Sequence, residues 1–247
     1  LDASGNSPQS KLANSIKKFL VGYGGKGYDK FVILSDDHRN DWKRIRNIEV
    51  IGNPLTIETD DSIASLDTQT ILAVGRHVHA KGFDMLLKVW EIVRQNHPDW
   101  KLKIIGKKTT TLDLRQMARD LKVLDTIEFM EFSKNMKDEY LDASILACTS
   151  RIEGFPLVLL EAMSFGIPLV SFDCPYGPKT IINDSEDGIL VELNNIESFT
   201  QSILSVIEND IFRKKLGNQA KNNIQRFRPE HIMPLWKNLF ENLKVKK

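Results

Sequence analysis

"TILAVGRHVHAKGFDMLLKVWEIVRQN" (residues 70–96) decides the fold. An apolar run, 70–75, gives way to a basic loop, and apolar positions then recur at helical spacing through 81–96. A strand that passes through a polar turn into a helix is the first half of a βαβ unit. The same alternation continues outward from it, with strand-like runs at "KLKIIG" (101–106), "TIEFM" (126–130), "ILACT" (145–149), "PLVSF" (168–172) and "GILVE" (188–192). Helical patterns fill the gaps at 112–123 and 197–210, and the chain then turns all-helical through "DIFRKKLGNQAKNNIQRF" and, after Pro229, "EHIMPLWKNLFENLK". The expectation is an α/β protein with a doubly wound parallel, Rossmann-like sheet.

Residues 1–58 read differently. A basic helix at 11–21, a glycine cluster, strands at 31–35 and 48–52 and a short helix around Trp42 are too few elements for a core of their own. They read as the tail of a preceding α/β domain, followed by an acidic, unpatterned linker at 59–69, a main domain at 70–228 and a last helix at 229–247. "GYGGKG" (22–27) matches G-x-G-x-x-G literally, but it follows a helix and precedes a strand, the reverse of a dinucleotide fingerprint, so it reads as a turn. A chain that begins with Leu reads as a fragment or a processed piece.

Composition narrows the function classes. A net charge of +1 over 247 residues gives no support to nucleic-acid binding. There is no run of eighteen apolar residues and no apolar signal core in "LDASGNSPQS", so the expected location is cytoplasmic. Cys148 and Cys174 lie in apolar runs and read as core thiols.

In an open α/β sheet the loops after the strands carry the chemistry. The loop after 70–75 places Arg76 and Lys81 across a strand-to-helix turn, two cations that suit a diphosphate or merely face solvent. His77 and His79 flank the turn without a neighbouring carboxylate or cysteine, which argues against a metal. Lys107 and Lys108, after the next strand, read as solvated. In "EGFPLVLLEAMSFGIPLV" (153–170), Pro156 fits a first helical position and Gly166 the residue past the end, predicting a helix over 156–165. Phe155 would then stand in the capping position without a side-chain acceptor. That leaves the amides of Leu157 and Val158 free at the positive end of the helix dipole, where an anion fits. Glu153 precedes this helix beside Gly154, and Glu161 lies within it among apolar neighbours on nearly every face. A buried carboxylate needs partners, either ligand hydroxyls or a structural Arg or Lys.

Together these residues resemble the family-4 retaining glycosyltransferases of the two-domain GT-B fold. "VGRHVHAKGFDMLLKVW" is similar to that family's V-G-R…K-G-F-D segment, "SRIEGFPLVLLEAMSFGIPLVSFDCP" to its E-x7-E segment, and "YGPKTIINDSEDGILVE" to the loop that follows. The resemblance covers about residues 28 to 244 and is densest from Thr70 to Val191. The chain departs from the pattern at "GKKTTT" (106–111), where the family often has Gly-x-Gly-Pro, and at Thr180, where it often has Glu.

The resemblance implies transfer of a sugar from a nucleoside diphosphate sugar, a UDP-sugar in the first instance, to a saccharide or lipid-linked acceptor hydroxyl in polysaccharide or glycolipid synthesis. No metal or other cofactor is implied, and the sequence has no D-x-D pair. Arg76 and Lys81 would hold the diphosphate and Glu161 the ribose, while Glu153 with the Gly154–Phe155 backbone would hold the sugar, the phosphate resting on the helix start at Leu157 and Val158. The family's acceptor side is an N-terminal domain of which residues 1–58 would be only the end. A sugar-nucleotide epimerase or hydrolase of similar architecture, and a binding module inactive by itself, stand as rival readings. An NAD-dependent oxidoreductase would need a glycine fingerprint after a strand, which is absent here. Two surface expectations remain open: peripheral membrane contact of the full-length enzyme through Leu12, Ile16, Phe19 and Leu20 with Lys11, Lys17 and Lys18, and self-association through the apolar face of the last helix.

Overall fold

Parallel strands need long crossovers, and the helices that supply them bury the sheet on both faces. The computed structural model describes residues 19–21, 23–57, 60–109 and 112–244. Strands β3 (Thr70–Val74), β4 (Lys101–Ile105), β5 (Ile127–Met130), β6 (Ile145–Cys148), β7 (Leu169–Asp173) and β8 (Gly188–Glu192) form one parallel sheet in the order β5-β4-β3-β6-β7-β8. Strand order reverses between β3 and β6, and a crevice opens at the carboxyl ends of the strands at such a reversal. β1 (Phe31–Ile33) and β2 (Ile48–Val50) pair in parallel as a separate two-stranded sheet.

The helices are α1 (Phe83–Asn96), α2 (Leu114–Asp120), α3 (Met136–Leu141), α4 (Leu157–Ser164), α5 (Pro178–Ile181), α6 (Ile196–Glu208), α7 (Asp210–Asn223) and α8 (Pro229–Lys244). Successive strand residues point to opposite faces, so Ile71 and Ala73 join a core with Trp90, Phe172 and Phe199, while Leu72 joins one with Tyr140, Met163 and Phe165. The helix expected over 112–123 is shorter, with Asp113 accepting from the Gln116 amide at its start. The short helices α3 and α5 were not expected, because one or two turns are too few to show a period.

Residues 60–69 are anchored to the domain. Ala64 and Leu66 are buried, the Ala64 amide donates to the Phe165 carbonyl at 2.9 Å, and Arg213 Nε donates to the Leu66 carbonyl at 3.0 Å. Three apolar residues in ten, Ile63, Ala64 and Leu66, are too few to reveal that burial in the sequence. The expected basic helix falls almost wholly outside the described residues; of it, residues 19–21 are described and are helical. In α8, Ile232 and Leu239 are buried while Leu235 and Phe240 stay exposed. No helix among the described residues is long and apolar enough to cross a membrane.

Helix α7 crosses the end of α4 at Gly217, where an added Cβ would lie 2.2 Å from the Gly166 carbonyl oxygen. Gly to Ala ordinarily stabilises a helix interior by about 1 kcal/mol. Gly217→Ala is expected to destabilise instead, lowering the urea midpoint; a raised midpoint would show that this crossing is loose.

Candidate functional site

The loops after β3 and β6 flank the strand reversal and are bound to one another. Gly82 (φ +66°) brings its backbone so close to β6 that a Cβ would lie 1.9 Å from the Thr149 carbonyl oxygen. Around it, Thr149 Oγ1 donates to the Lys81 carbonyl at 3.2 Å and the Arg151 amide to the Ala80 carbonyl at 2.7 Å. The Arg151 guanidinium donates to the His79 carbonyl at 2.7 Å and grips Asp84 through two bonds of 2.7 and 2.6 Å. A bidentate Arg–carboxylate pair fixes direction as well as distance. Burial alone would push the Asp84 carboxyl up, but the Arg151 hydrogen bonds and charge outweigh it and hold it below its ordinary value.

Helix α4 starts one residue later than its sequence suggests. Pro156 has ψ 92°, outside the helical region, so it is the capping residue rather than the first helical one, and Phe155 lies one place outside. The Pro156 carbonyl accepts from the Leu159 amide at 3.0 Å. The amides of Leu157 and Val158 have no acceptor within the helix, and no side chain caps this end. At the other end Gly166 donates to the Met163 carbonyl and Ile167 to the Ala162 carbonyl, the paired bonds of a Schellman motif. The helix is not buried all round: Leu157, Val158 and Glu161 share a half-buried face and the remaining residues are buried.

Each glutamate is held through one oxygen. Glu153 Oε1 accepts from Lys81 Nζ at 2.7 Å and from Ser150 Oγ at 2.5 Å. Glu161 Oε2 accepts from the Tyr140 hydroxyl at 2.5 Å, and Tyr140 is wholly buried. Burial pushes the Tyr140 phenol well up, helped by the Glu161 charge and hydrogen bond. Among the described residues the second oxygen of each carboxylate carries no hydrogen bond, which leaves one acceptor apiece.

The chain thus brings Lys81 and Glu153 together, with Gly154 exposed beside the open helix start. It leaves Arg76 exposed on the strand end, with no ion pair or side-chain hydrogen bond among the described residues. Ser150, Arg151, Asp84 and Tyr140 went unnoticed in the sequence. Asp84 lies in the "KGFD" stretch, where its charge passes for ordinary helix polarity. Cys148 and Cys174 are buried, as expected. Lys107 and Lys108 are exposed, and among the described residues no cluster of metal ligands forms. His77 is buried against Phe83 and Phe129, its pKa lowered by burial, and its Nε2 lacks a hydrogen-bond partner. It lines a cavity of about 70 Å³ with Lys108, Arg115, Phe129 and Glu131.

The family model described as glycosyl transferases group 1 matches residues 57–223, and the chain belongs to that family. An uncharacterized glycosyltransferase of Haemophilus influenzae is 34% identical over 237 residues, 95% of this chain and 66% of its own length. The amylovoran biosynthesis glycosyltransferase AmsD of Erwinia amylovora is 29% identical over 239 residues, 93% of this chain and 66% of its own length. A crystal structure of a mutant S. aureus TarM with fondaparinux, α-GlcNAc-glycerol and UDP superposes with a TM-score of 0.82 at 26% identity, over 90% of this chain and 46% of that one. The chain therefore spans less than two thirds of the length of these relatives.

The Arg151–Asp84 pair yields a pH test. With the folded pKa of Asp84 below its ordinary 3.8, the pair's contribution is complete above 3.8 and is lost as pH falls through the folded value. Asp84→Asn is expected to cost about 3–5 kcal/mol at neutral pH, since the little-exposed Arg151 loses the negative charge that compensates its own, and to flatten the fall of stability in acid. Parallel acid profiles for both proteins would contradict this.

Proposed function

We propose that this member of the group 1 glycosyltransferases binds a UDP-sugar in the crevice between β3 and β6, and that the complete protein transfers the sugar, with retention, to an acceptor hydroxyl in cell-surface polysaccharide or glycolipid synthesis. The observation that carries this reading is the meeting of Lys81, Glu153 and the uncapped start of α4 at one point on the sheet rim. The amylovoran relative supports the polysaccharide context, and the UDP held by the TarM structure supports the nucleotide.

In the proposed reaction the bond from the anomeric carbon to the phosphate oxygen breaks, with its electrons leaving on UDP. The acceptor oxygen attacks from the same face, and its proton passes to the departing phosphate oxygen. Charge accumulates on the departing diphosphate, and fixed donors aimed there are worth about 3–4 kcal/mol each. Lys81, Arg76 and the amides of Leu157 and Val158 would supply them, without a divalent ion. Glu161 would accept from the ribose and Glu153 from the sugar, each through its free oxygen. The base would lie toward the cavity lined by His77, Lys108 and Arg115.

Calorimetry with UDP in EDTA tests the metal-free site, and binding should persist; loss of binding on chelation would refute it. In the same titrations Glu161→Ala should weaken UDP and UDP-sugar alike by about tenfold, the loss of a hydrogen bond to a charged group. Glu153→Ala should weaken only the sugar increment. Equal effects of both substitutions on UDP would reverse the assignments.

We expect this chain by itself to bind donor and at most hydrolyse it slowly, because holding both substrates in reacting geometry accounts for about 7–11 kcal/mol of barrier and the chain spans only part of the length of its relatives. Efficient transfer to an oligosaccharide acceptor by the 247-residue chain would contradict that.

A further inference from the structure

The turn Asp36–Trp42, at the carboxyl end of β1, lies against the loop that follows β7. The Tyr176 hydroxyl donates to Asp41 Oδ2 at 2.5 Å. The His38 ring stacks on the Tyr176 ring, with centroids 4.3 Å apart and planes inclined by 20°. Ser35 Oγ lies 2.9 Å from His38 Nδ1, so the imidazole is held in turn. Lys179 Nζ reaches Asp37 Oδ1 at 3.3 Å on the more exposed rim. Tyr176 thus spans 135 positions of sequence to grip the N-terminal element by its side chain.

Its backbone grips the site. The Glu153 amide donates to the Pro175 carbonyl at 2.7 Å, and the Tyr176 amide to the Glu153 carbonyl at 3.4 Å. The position of Glu153 along the rim is therefore set by two neighbours: Lys81 and Ser150 hold its carboxylate, and residues 175–176 hold its backbone. A shift of about 1 Å in such a group can cost a hundredfold in rate.

We infer that Tyr176 is a positioning residue for Glu153. Asp41 and His38 fix its ring, and its backbone fixes the glutamate, so the seating of the 36–42 turn sets how well the donor sugar is held. The inference rests on the reading of Glu153 as the sugar-binding carboxylate. Burial, then the hydrogen bond to Asp41 and its charge, push the Tyr176 phenol up to about 12, so it remains a donor at ordinary pH. The nucleotide contact at Glu161 lies outside this relay, whereas Gly177, next to Tyr176, lies against Pro156 at the start of α4, so UDP should sense the relay less than the sugar does.

The test combines amide hydrogen exchange with calorimetry on the whole chain, using UDP, UDP-glucose and UDP-N-acetylglucosamine. Tyr176→Phe keeps the stacked ring and loses the hydroxyl. It should raise exchange at the Glu153 amide about tenfold, as should Asp41→Ala, while Asp41→Asn, whose amide oxygen still accepts, should stay near wild type. In the titrations Tyr176→Phe should weaken the UDP-sugars several-fold more than it weakens UDP. Unchanged exchange at Glu153 in Tyr176→Phe, or Asp41→Asn as damaging as Asp41→Ala, would overturn the relay. Equal weakening of UDP and UDP-sugar would overturn its selectivity. Should the wild type bind no nucleotide at all, the donor reading fails on its own, and the exchange data still decide whether Tyr176 holds Glu153.

Discussion

The Thr149 carbonyl oxygen occupies the space where any side chain at position 82 would begin, 1.9 Å from the place of its Cβ. Two strand ends can meet this closely only because one of them turns through a left-handed glycine. From that approach follow the Arg151 contacts with His79 and Asp84 and the reach of Lys81 to Glu153. The topology places the crevice between β3 and β6, and this glycine draws its two walls together into a site.

The walls differ in character. The β3 side contributes cations, and the β6 side contributes a carboxylate followed at once by a helix whose first amides are free. Lys81 and Glu153 pair at 2.7 Å, with side chains only 22% and 9% exposed. Breaking a pair so little exposed is costly unless each partner finds a replacement. A diphosphate bearing a sugar offers both replacements at once, an anion for Lys81 and hydroxyls for Glu153. On the proposed reading, a site arranged in this way would favour the intact donor over either half of it.

Much of this was legible in the sequence because a parallel sheet buried on both faces writes its strands as apolar runs, and the six runs from Thr70 to Val191 stood out for that reason. Lys81, Glu153 and the uncapped helix could be singled out because strand-end loops are few. Pairings were harder to read. Lys81 and Glu153 are 72 residues apart and Tyr140 and Glu161 are 21, and no local pattern links them. Tyr140 in particular hid in a six-residue helix too short to show a period. The helix start was misjudged by one residue because proline fixes φ but leaves ψ free, and at Pro156 ψ settled at 92°. The burial of Ala64 and Leu66 depends on α7 and on the end of α4, elements 100 or more residues downstream.

The central claim is that the crevice between β3 and β6 is built for a diphosphate. A crystal structure of the chain grown with UDP tests it most directly. The account predicts the diphosphate on the amides of Leu157 and Val158, with Lys81 Nζ moved from Glu153 onto a phosphate oxygen. A nucleotide bound elsewhere, with the Lys81–Glu153 pair intact, would contradict it.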